Sequence, residues 1–231
     1  MLNGVMLGDK HSSEFNLILA SKTISPPEVQ TKKVSVPGRN GDINLSTVLT
    51  GDIRYKNRSI SMKFINKHVK YEDIPIWKSE IENYLHGQEM RIVFDDDPAF
   101  YYYGSLNVEP VSYDGVAQIT IKADVAPYKY SITTSEEDWL WDPFDFEQSV
   151  INETADLVVD ESLEVSIIAS KKWENPIVIS DSDMTVEFNG NTYQVKSGSQ
   201  VMYDIILEEG ENFLTFIGNG KVTINYVGGM L

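Results

Sequence analysis

The stretch "QITIKADV", Gln118–Val125, alternates apolar and polar residues as a half-buried β-strand does. Its apolar residues fall on one face, and they are Ile119, Ile121, Ala123 and Val125. The stretch "SISMKF", Ser59–Phe64, has the same alternation, with Ile60, Met62 and Phe64 on the inward face. Because two such stretches occur within one half of the chain, we expect this half to be mostly antiparallel β-sheet.

Turn dipeptides separate these strands. Asn40-Gly41 lies within "VSVPGRNGDINLS", Val34–Ser46, and Asp114-Gly115 lies within "SYDGV". Each dipeptide adopts positive φ at low steric cost and therefore predicts a tight hairpin. Val34–Ser46 does not fit a nucleotide-binding loop, because no lysine-serine pair follows its glycines and no strand-to-helix switch surrounds it.

One segment of the first half has helical periodicity. In "DIPIWKSEIENYLHG", Asp73–Gly87, apolar residues recur every three or four positions, and they are Ile74, Trp77, Ile81, Tyr84 and Leu85. Asp73 is the predicted N-cap, and Gly87 lies just past the predicted end. A helix of about 12 residues is marginal alone in water, so we expect its apolar stripe to cover a face of the sheet.

Charge is distributed unevenly along the 231 residues. Residues 1–130 contain 15 Lys and Arg against 16 Asp and Glu, whereas residues 131–231 contain 4 against 19. Such an acidic half repels phosphate backbones and anionic headgroups, so we expect no nucleic-acid or membrane partner. No basic leader and no apolar stretch of membrane-spanning length occurs, which predicts a soluble, unprocessed protein.

The second half predicts a separate β domain. Two apolar-alternating segments contain Asn-Gly dipeptides, at Asn189-Gly190 and Asn219-Gly220, and each predicts a hairpin. The predicted organisation is an N-terminal antiparallel β domain with one short α-helix over residues 1–133 and a C-terminal β-sandwich over 157–231. Residues 134–156 are acidic but rich in Trp and Phe, which predicts an ordered connector.

No motif in the sequence favours catalysis. There is no cysteine, and the three histidines lack the spacing of a zinc helix. "DDDPAF" lacks the later ligands of an EF-hand, and no serine lies in a G-x-S-x-G elbow. The many carboxylates near Trp139 and Trp141 leave a glycosidase as a formal alternative, but crowded acids are typical of hydrated charge. We therefore expect no enzymatic activity and no cofactor.

The order of motifs resembles the distal tail proteins of long-tailed phages of Gram-positive bacteria. The resemblance runs through the first half in five segments, and the connector segment "WDPFDFE" continues it. The five segments are "HSSEFNLIL" after an early glycine, "VSVPGRNGDI", "YKNRSISMKF", "WKSEIENYLHG" and "ITIKADVAPYKY". Beyond about residue 157 the resemblance is only that of an all-β module.

The resemblance implies a structural hub in the virion, assembled in the host cytoplasm. It implies a hexameric ring of N-terminal domains that joins the tail tube to the tail-associated lysin or receptor-binding proteins, with a galectin-like or carbohydrate-module-like jelly roll projecting outward. Candidate contacts with a second subunit or the tube are Arg39, Asn40, Gly41 and Arg58.

A second hypothesis assigns host attachment to the C-terminal domain. Indole faces stack well on the apolar faces of sugars, and an acidic β-rich domain with exposed tryptophans is typical of a carbohydrate-binding module. The candidate stacking residues are Trp139, Trp141 and Trp173, although we favour packing in the core or connector as their role. The bound ligand is then cell-wall polysaccharide.

Overall fold

The computed structural model describes residues 4–38, 40–46, 48, 53–132, 154–169 and 175–231. The chain forms two compact units, Met1–Pro127 and Tyr128–Met230, each with its own hydrophobic core. Within the described ranges, no helix has the length and apolar character needed to cross a membrane.

The first unit is an antiparallel sheet with one α-helix. The elements are β1 (Val5–Leu7), β2 (Lys10–His11), β3 (Ile18–Ile24), β4 (Lys33–Val34), β5 (Ile43–Asn44), β6 (Arg58–Asn66), α1 (Ile74–Leu85), β7 (Glu89–Phe94), β8 (Phe100–Val108), β9 (Ser112–Tyr113) and β10 (Ala117–Val125). The sheet order is β2-β1-β7-β8-β10-β6-β3, β9 pairs with β10, and β4 and β5 form a separate two-stranded ladder.

The two alternating stretches pair with each other as interior strands of this sheet. β6 and β10 are in register over nine residue pairs, from Ala117 opposite Asn66 to Val125 opposite Arg58. The side chains predicted to face inward are all buried. Lys22 Nζ on edge strand β3 lies 4.1 Å from the ring centroid of Phe94 on β7. This short distance between strands that are not neighbours shows that the sheet curls.

Helix α1 covers the core through the predicted stripe. Trp77, Ile81 and Leu85 are buried, and Ile74 and Tyr84 are partly buried. The Trp77 indole donates to the Phe15 carbonyl at 2.9 Å, and the Tyr84 hydroxyl donates to the Leu7 carbonyl at 2.9 Å. Asp73 occupies the predicted N-cap position, but its side chain makes no cap hydrogen bond, because a 3₁₀ turn over Tyr71–Asp73 leads directly into the helix.

The second unit is a β-sandwich of short strands around one long pair. The strands are β11 (Lys129–Ser131), β12 (Leu157–Ala169), β13 (Ile177–Ser180), β14 (Met184–Phe188), β15 (Asn191–Val195), β16 (Gly198–Val201), β17 (Gly210–Asn225) and β18 (Gly229–Met230). β12 pairs with β17 over thirteen residue pairs. One half of β17 pairs with β14, which pairs with β15, and the other half pairs with β13, which pairs with β16.

The hairpin predicted at Asn219-Gly220 is wrong, because β17 continues through it. Gly218 and Gly220 have φ of +149° and +145°, and Glu161, opposite Gly218, has φ of +64°. Past this point β17 changes neighbour from β14 to β13, although both halves face one core. The glycines thus permit the bend by which a strand passes between the layers of a sandwich.

The predicted fold class is confirmed: the chain is mainly β, with one short α-helix among the described residues and a β-sandwich in the second unit. The hairpins at Asp114-Gly115 and Asn189-Gly190 are confirmed. The finer division, with limits at residues 133 and 157 and a connector over 134–156, stays a prediction, because residues 133–153 lie outside the described ranges.

Candidate subunit interface

A long hairpin connects β3 to β6, and we call residues 25–57 the arm. Its two sides run antiparallel: Gln30 N donates to the Arg54 carbonyl at 2.7 Å, and Lys56 N donates to the Glu28 carbonyl at 2.8 Å. Further out, β4 and β5 pair with Val34 opposite Ile43. The arm therefore continues the direction of β3 and β6 beyond the sheet core.

The tip of the arm carries two of the predicted interface residues. Asn40 and Gly41 are exposed, Gly41 has φ of +80°, and Arg39 lies outside the described residues. The hairpin itself is confirmed, but the prediction of a tight turn is wrong, because eight residues separate Val34 from Ile43. Pro37 has no N–H to extend the ladder, so the strands part early.

The arm has no core of its own. None of its described residues is buried, and five of its apolar side chains are exposed to solvent, on both sides of the hairpin. The exposed apolar residues of the arm are Val29, Val34, Val36, Val48 and Ile53. An isolated two-stranded hairpin is marginally stable at best in water, and clustered exposed apolar side chains mark interaction surfaces.

The arm also differs from the rest of the chain in charge. Its sequence contains five Lys and Arg residues against three Asp and Glu, in a protein of net charge −16. Lys56 pairs with Glu28 at 3.0 Å, whereas Lys32 and Lys33 make no ion pair with any residue of the described ranges. The arm is thus an apolar and weakly basic extension of an acidic protein.

Arg58, the fourth predicted interface residue, lies at the base of the arm with only 6% of its surface exposed. Its Nη2 donates to the Pro127 carbonyl, and its guanidinium carbon lies 5.7 Å from the ring centroid of Tyr102. Burial lowers the pKa of Arg58 and raises the pKa of Tyr102. Both contacts are within its own chain, and an intersubunit role for Arg58 stays a prediction.

The three tryptophans predicted to stack on sugars, Trp139, Trp141 and Trp173, lie outside the described residues. The second unit instead presents Tyr203, which is 77% exposed. The Asn175 amide holds the turn beneath Tyr203, donating to the carbonyls of Tyr203 at 3.0 Å and Ile205 at 2.8 Å. Sequence reasoning missed this tyrosine because neither alternation nor a turn dipeptide marks its position.

The polar cluster nearest the N-terminus has a structural explanation. His11 Nε2 lies 3.2 Å from Asp95, and His11 Nδ1 accepts from Ser13 N at 3.3 Å to cap a short 3₁₀ turn. Gly4 N donates to Asp95 at 2.8 Å, and a Cβ at Gly4 would meet the His11 ring. In the described part of the chain, no group of three or more His, Asp or Glu is placed to hold a metal ion.

Comparisons with known proteins agree with this architecture. The crystal structure of SPP1 Dit (gp 19.1), described as a paradigm of the hub adsorption apparatus in phages that infect Gram-positive bacteria, matches with a TM-score of 0.67. The match covers 100% of both chains at 13% sequence identity and therefore shows a shared fold. A search of curated proteins gives no match.

The sequence supplies the family. Residues 10–125, half of the chain, match the model of the phage tail protein RIFT-related domain. This match spans β2 to β10 and includes the whole arm. The predicted resemblance to phage tail proteins is thereby confirmed, and the chain belongs to the family of phage tail proteins that contain the RIFT-related domain.

Proposed function

We propose that this phage tail protein is the ring-forming hub of a tail tip. Copies associate through the first unit into a closed ring of six, which joins the tail tube above to the tail-associated lysin or receptor-binding proteins below. SPP1 Dit, which is described as a paradigm of the hub adsorption apparatus in phages that infect Gram-positive bacteria, has the same fold. The role is structural and without catalysis, and the ring is part of the virion.

The arm is the observation that carries this proposal. It exposes valines, none of its described residues belongs to its own unit's core, and it lies within the segment that matches the tail-protein family. Such a hairpin is stable when a partner covers it. In a ring, each arm is covered by the neighbouring copy, and no arm is left exposed.

The charge distribution supports the same arrangement. A first half of net charge close to zero can associate with identical copies without strong repulsion. The acidic second half stays solvated and repels second halves of other rings, which limits nonspecific stacking. Neither half suits nucleic acid or a membrane, so the proposed partners are proteins and, for the second unit, the cell surface.

Native mass spectrometry of the full chain, with and without the arm, tests the proposal. Val29 and Tyr55 are directly opposite, so replacing residues 30–54 with Asn-Gly closes the hairpin with a two-residue turn. We expect the natural chain to form a discrete hexamer and the shortened chain to be a monomer with an intact core. Hexamers of the shortened chain, or a natural chain that remains monomeric at all concentrations, would contradict the proposal.

Arg39, Asn40 and Gly41 at the arm tip are proposed to contact a neighbouring subunit or the tube. Arginine is enriched among residues that dominate interface energy, and its planar guanidinium matches carboxylates. We expect Arg39→Ala to weaken ring formation or tube docking about tenfold. If Arg39→Ala rings form and dock with unchanged stability, the arm tip has no part in either contact.

Host attachment through the second unit is the second candidate function. Tyr203 supports it, because sugar stacking requires an exposed aromatic ring, and the backbone turn that carries Tyr203 is held by Asn175. Full-length protein, its Tyr203→Ala variant and a Trp173→Ala variant are incubated with host cell-wall polysaccharide and sedimented. If the natural chain sediments with the polysaccharide and either substitution abolishes this binding, attachment is supported. If the natural chain does not sediment with the polysaccharide, the second unit is a spacer.

A further inference from the structure

The first unit has a second exposed apolar surface, away from the arm. Tyr71 and Tyr113 make an edge contact with ring centroids 5.4 Å apart, although 72% of Tyr71 and 40% of Tyr113 are exposed. Ile76, one turn further along α1, is 68% exposed. The first unit exposes only five large apolar side chains in its described residues outside the arm, and three of them lie here.

Acidic side chains lie on the same helical segment as Tyr71 and Ile76. Glu72, Asp73 and Glu80 are three or four residues from Ile76, a spacing that places them on the same exposed side of the helical segment. None of the three pairs with a cation in the described ranges, since Lys78 pairs with Glu82 at 2.9 Å instead. We call Tyr71, Glu72, Asp73, Ile76, Glu80 and Tyr113 the acidic patch.

The arm and the acidic patch are complementary in chemistry. On the arm, Lys32 and Val34 lie on one face of the ladder together with Ile43, the cross-strand partner of Val34. Each surface therefore combines exposed apolar side chains with unpaired charges, and the two charges have opposite sign. Opposite potentials around an apolar centre guide two protein surfaces into one register.

The two surfaces lie on different elements of one unit, so a contact between them joins two copies head to tail. A head-to-tail contact generates a ring when its rotation closes. Resting on the proposed ring function, we propose that the arm of one copy docks on the acidic patch of the next, with Lys32 facing Glu72 and Glu80 and with Val34 covering Ile76. Lys33, on the opposite face of the ladder, adds positive charge at the edge of the contact.

Charge reversal with rescue tests this pairing in the full-length protein. Light scattering measures the concentration at which half of the protein is assembled, for Lys32→Glu/Lys33→Glu, for Glu72→Lys/Glu80→Lys and for all four changes together. We expect each pair of changes alone to raise that concentration at least tenfold. We expect the fourfold variant to return to within about threefold of the natural chain, because the attraction is restored with its sign reversed.

A matched control separates this contact from general charge effects. Glu164→Lys/Glu187→Lys changes the net charge by the same amount on exposed positions of the second unit and is expected to leave assembly unchanged. Circular dichroism verifies folding of every variant. If the patch variant assembles like the natural chain, or if the fourfold variant is no better than the pairs, the docking proposal is overturned while the ring stands. If the natural chain never assembles, the ring itself fails.

Disulfide trapping gives an independent readout, because the chain contains no cysteine. Val34→Cys and Ile76→Cys proteins, mixed and mildly oxidised, are expected to form a mixed disulfide-linked dimer that requires both variants. One chain with both substitutions is expected to give a ladder of linked copies. The pairing would be overturned if either single variant alone formed disulfide-linked dimers equally well. It would also be overturned if no mixed dimer formed under conditions in which the proteins assemble.

Discussion

Arg58 is the residue whose placement is least expected for its chemistry. A nearly buried guanidinium usually faces a carboxylate, but here the Pro127 carbonyl and the Tyr102 ring are its neighbours. Its Nε has no hydrogen-bond partner among the described residues. Burial lowers the pKa of Arg58, which means that desolvation disfavours the charged form of its guanidinium.

Replacement of Arg58 separates its charge from its packing. We expect Arg58→Met to change the free energy of unfolding by less than about 1 kcal/mol. Methionine has a side chain of similar length, and it carries no charge whose burial costs free energy. We expect Arg58→Ala to lower it by about 2 kcal/mol through lost packing of the stem. Urea unfolding measures both, and equal destabilisation by Met and Ala would show that the charge is required.

Asp183 provides a pH-dependent contribution in the second unit. It accepts from Lys196 Nζ at 2.8 Å and from Ser197 N at 3.0 Å, and these bonds lower the pKa of its carboxyl. A carboxyl group whose pKa is lower in the folded protein than in the unfolded chain stabilises the fold at pH values above its unfolded pKa of about 4. This stabilisation is lost as the pH falls through the folded-state pKa.

We therefore expect Asp183→Asn to lower the melting temperature at pH 7. The difference from the natural chain should shrink as the pH falls below about 4, because protonation then removes the same interactions from Asp183. Thermal unfolding followed by circular dichroism at several pH values measures it. A difference that is constant over the whole pH range would show that the carboxylate charge has no part in the effect.

At the scale of elements, three Asn-Gly dipeptides have three different outcomes. Asn189-Gly190 forms the two-residue turn that its flanking alternation predicts. Asn40-Gly41 lies in an eight-residue loop, and Asn219-Gly220 lies within a continuous strand. A dipeptide makes positive φ available, but the neighbouring strands decide whether the chain reverses, as the pairing of β17 with β12 on both sides of Gly220 shows.

The close approach at Gly220 leads to a comparison of two alanine substitutions. A Cβ at Gly220 would lie 2.2 Å from Ser182 Oγ and 2.3 Å from Asp181 Oδ1, whereas a Cβ at Gly190 meets nothing within 4 Å. Those oxygens bond to Asn219 and Lys221, so neither moves freely.

We expect Gly220→Ala to lower the free energy of unfolding by about 3 kcal/mol, since steric overlap adds to backbone strain. We expect Gly190→Ala to lower it by about 1 kcal/mol through positive φ alone. Chemical denaturation measures both values. Equal losses would show that the bend in β17 does not depend on the missing side chain.

At the scale of the whole molecule, two units with separate cores carry very different charge. The half with 4 Lys and Arg against 19 Asp and Glu repels itself, whereas the half with 15 against 16 does not. Salt screens repulsion between exposed charges, with a screening length of about 10 Å at 0.1 M and about 3 Å at 1 M. The two units should therefore respond differently to ionic strength.

We expect added NaCl to raise the melting temperature of the second unit by several degrees and to leave that of the first almost unchanged. Calorimetry measures both transitions. Ile81→Ala identifies the first unit, because loss of this buried side chain lowers its stability by about 3 kcal/mol. A second-unit transition that is insensitive to salt would show that its acids do not repel one another appreciably.

Sequence by itself determined the β class, the central strands β6 and β10, the buried stripe of α1 and the tail-protein resemblance. These features are local, because alternation, helical spacing and motif order are all present in contiguous residues. The tertiary structure alone decided the length and exposure of the arm, the burial of Arg58, the bend in β17 and the presentation of Tyr203. Each of these depends on which distant segment lies alongside, and no local pattern encodes that neighbour.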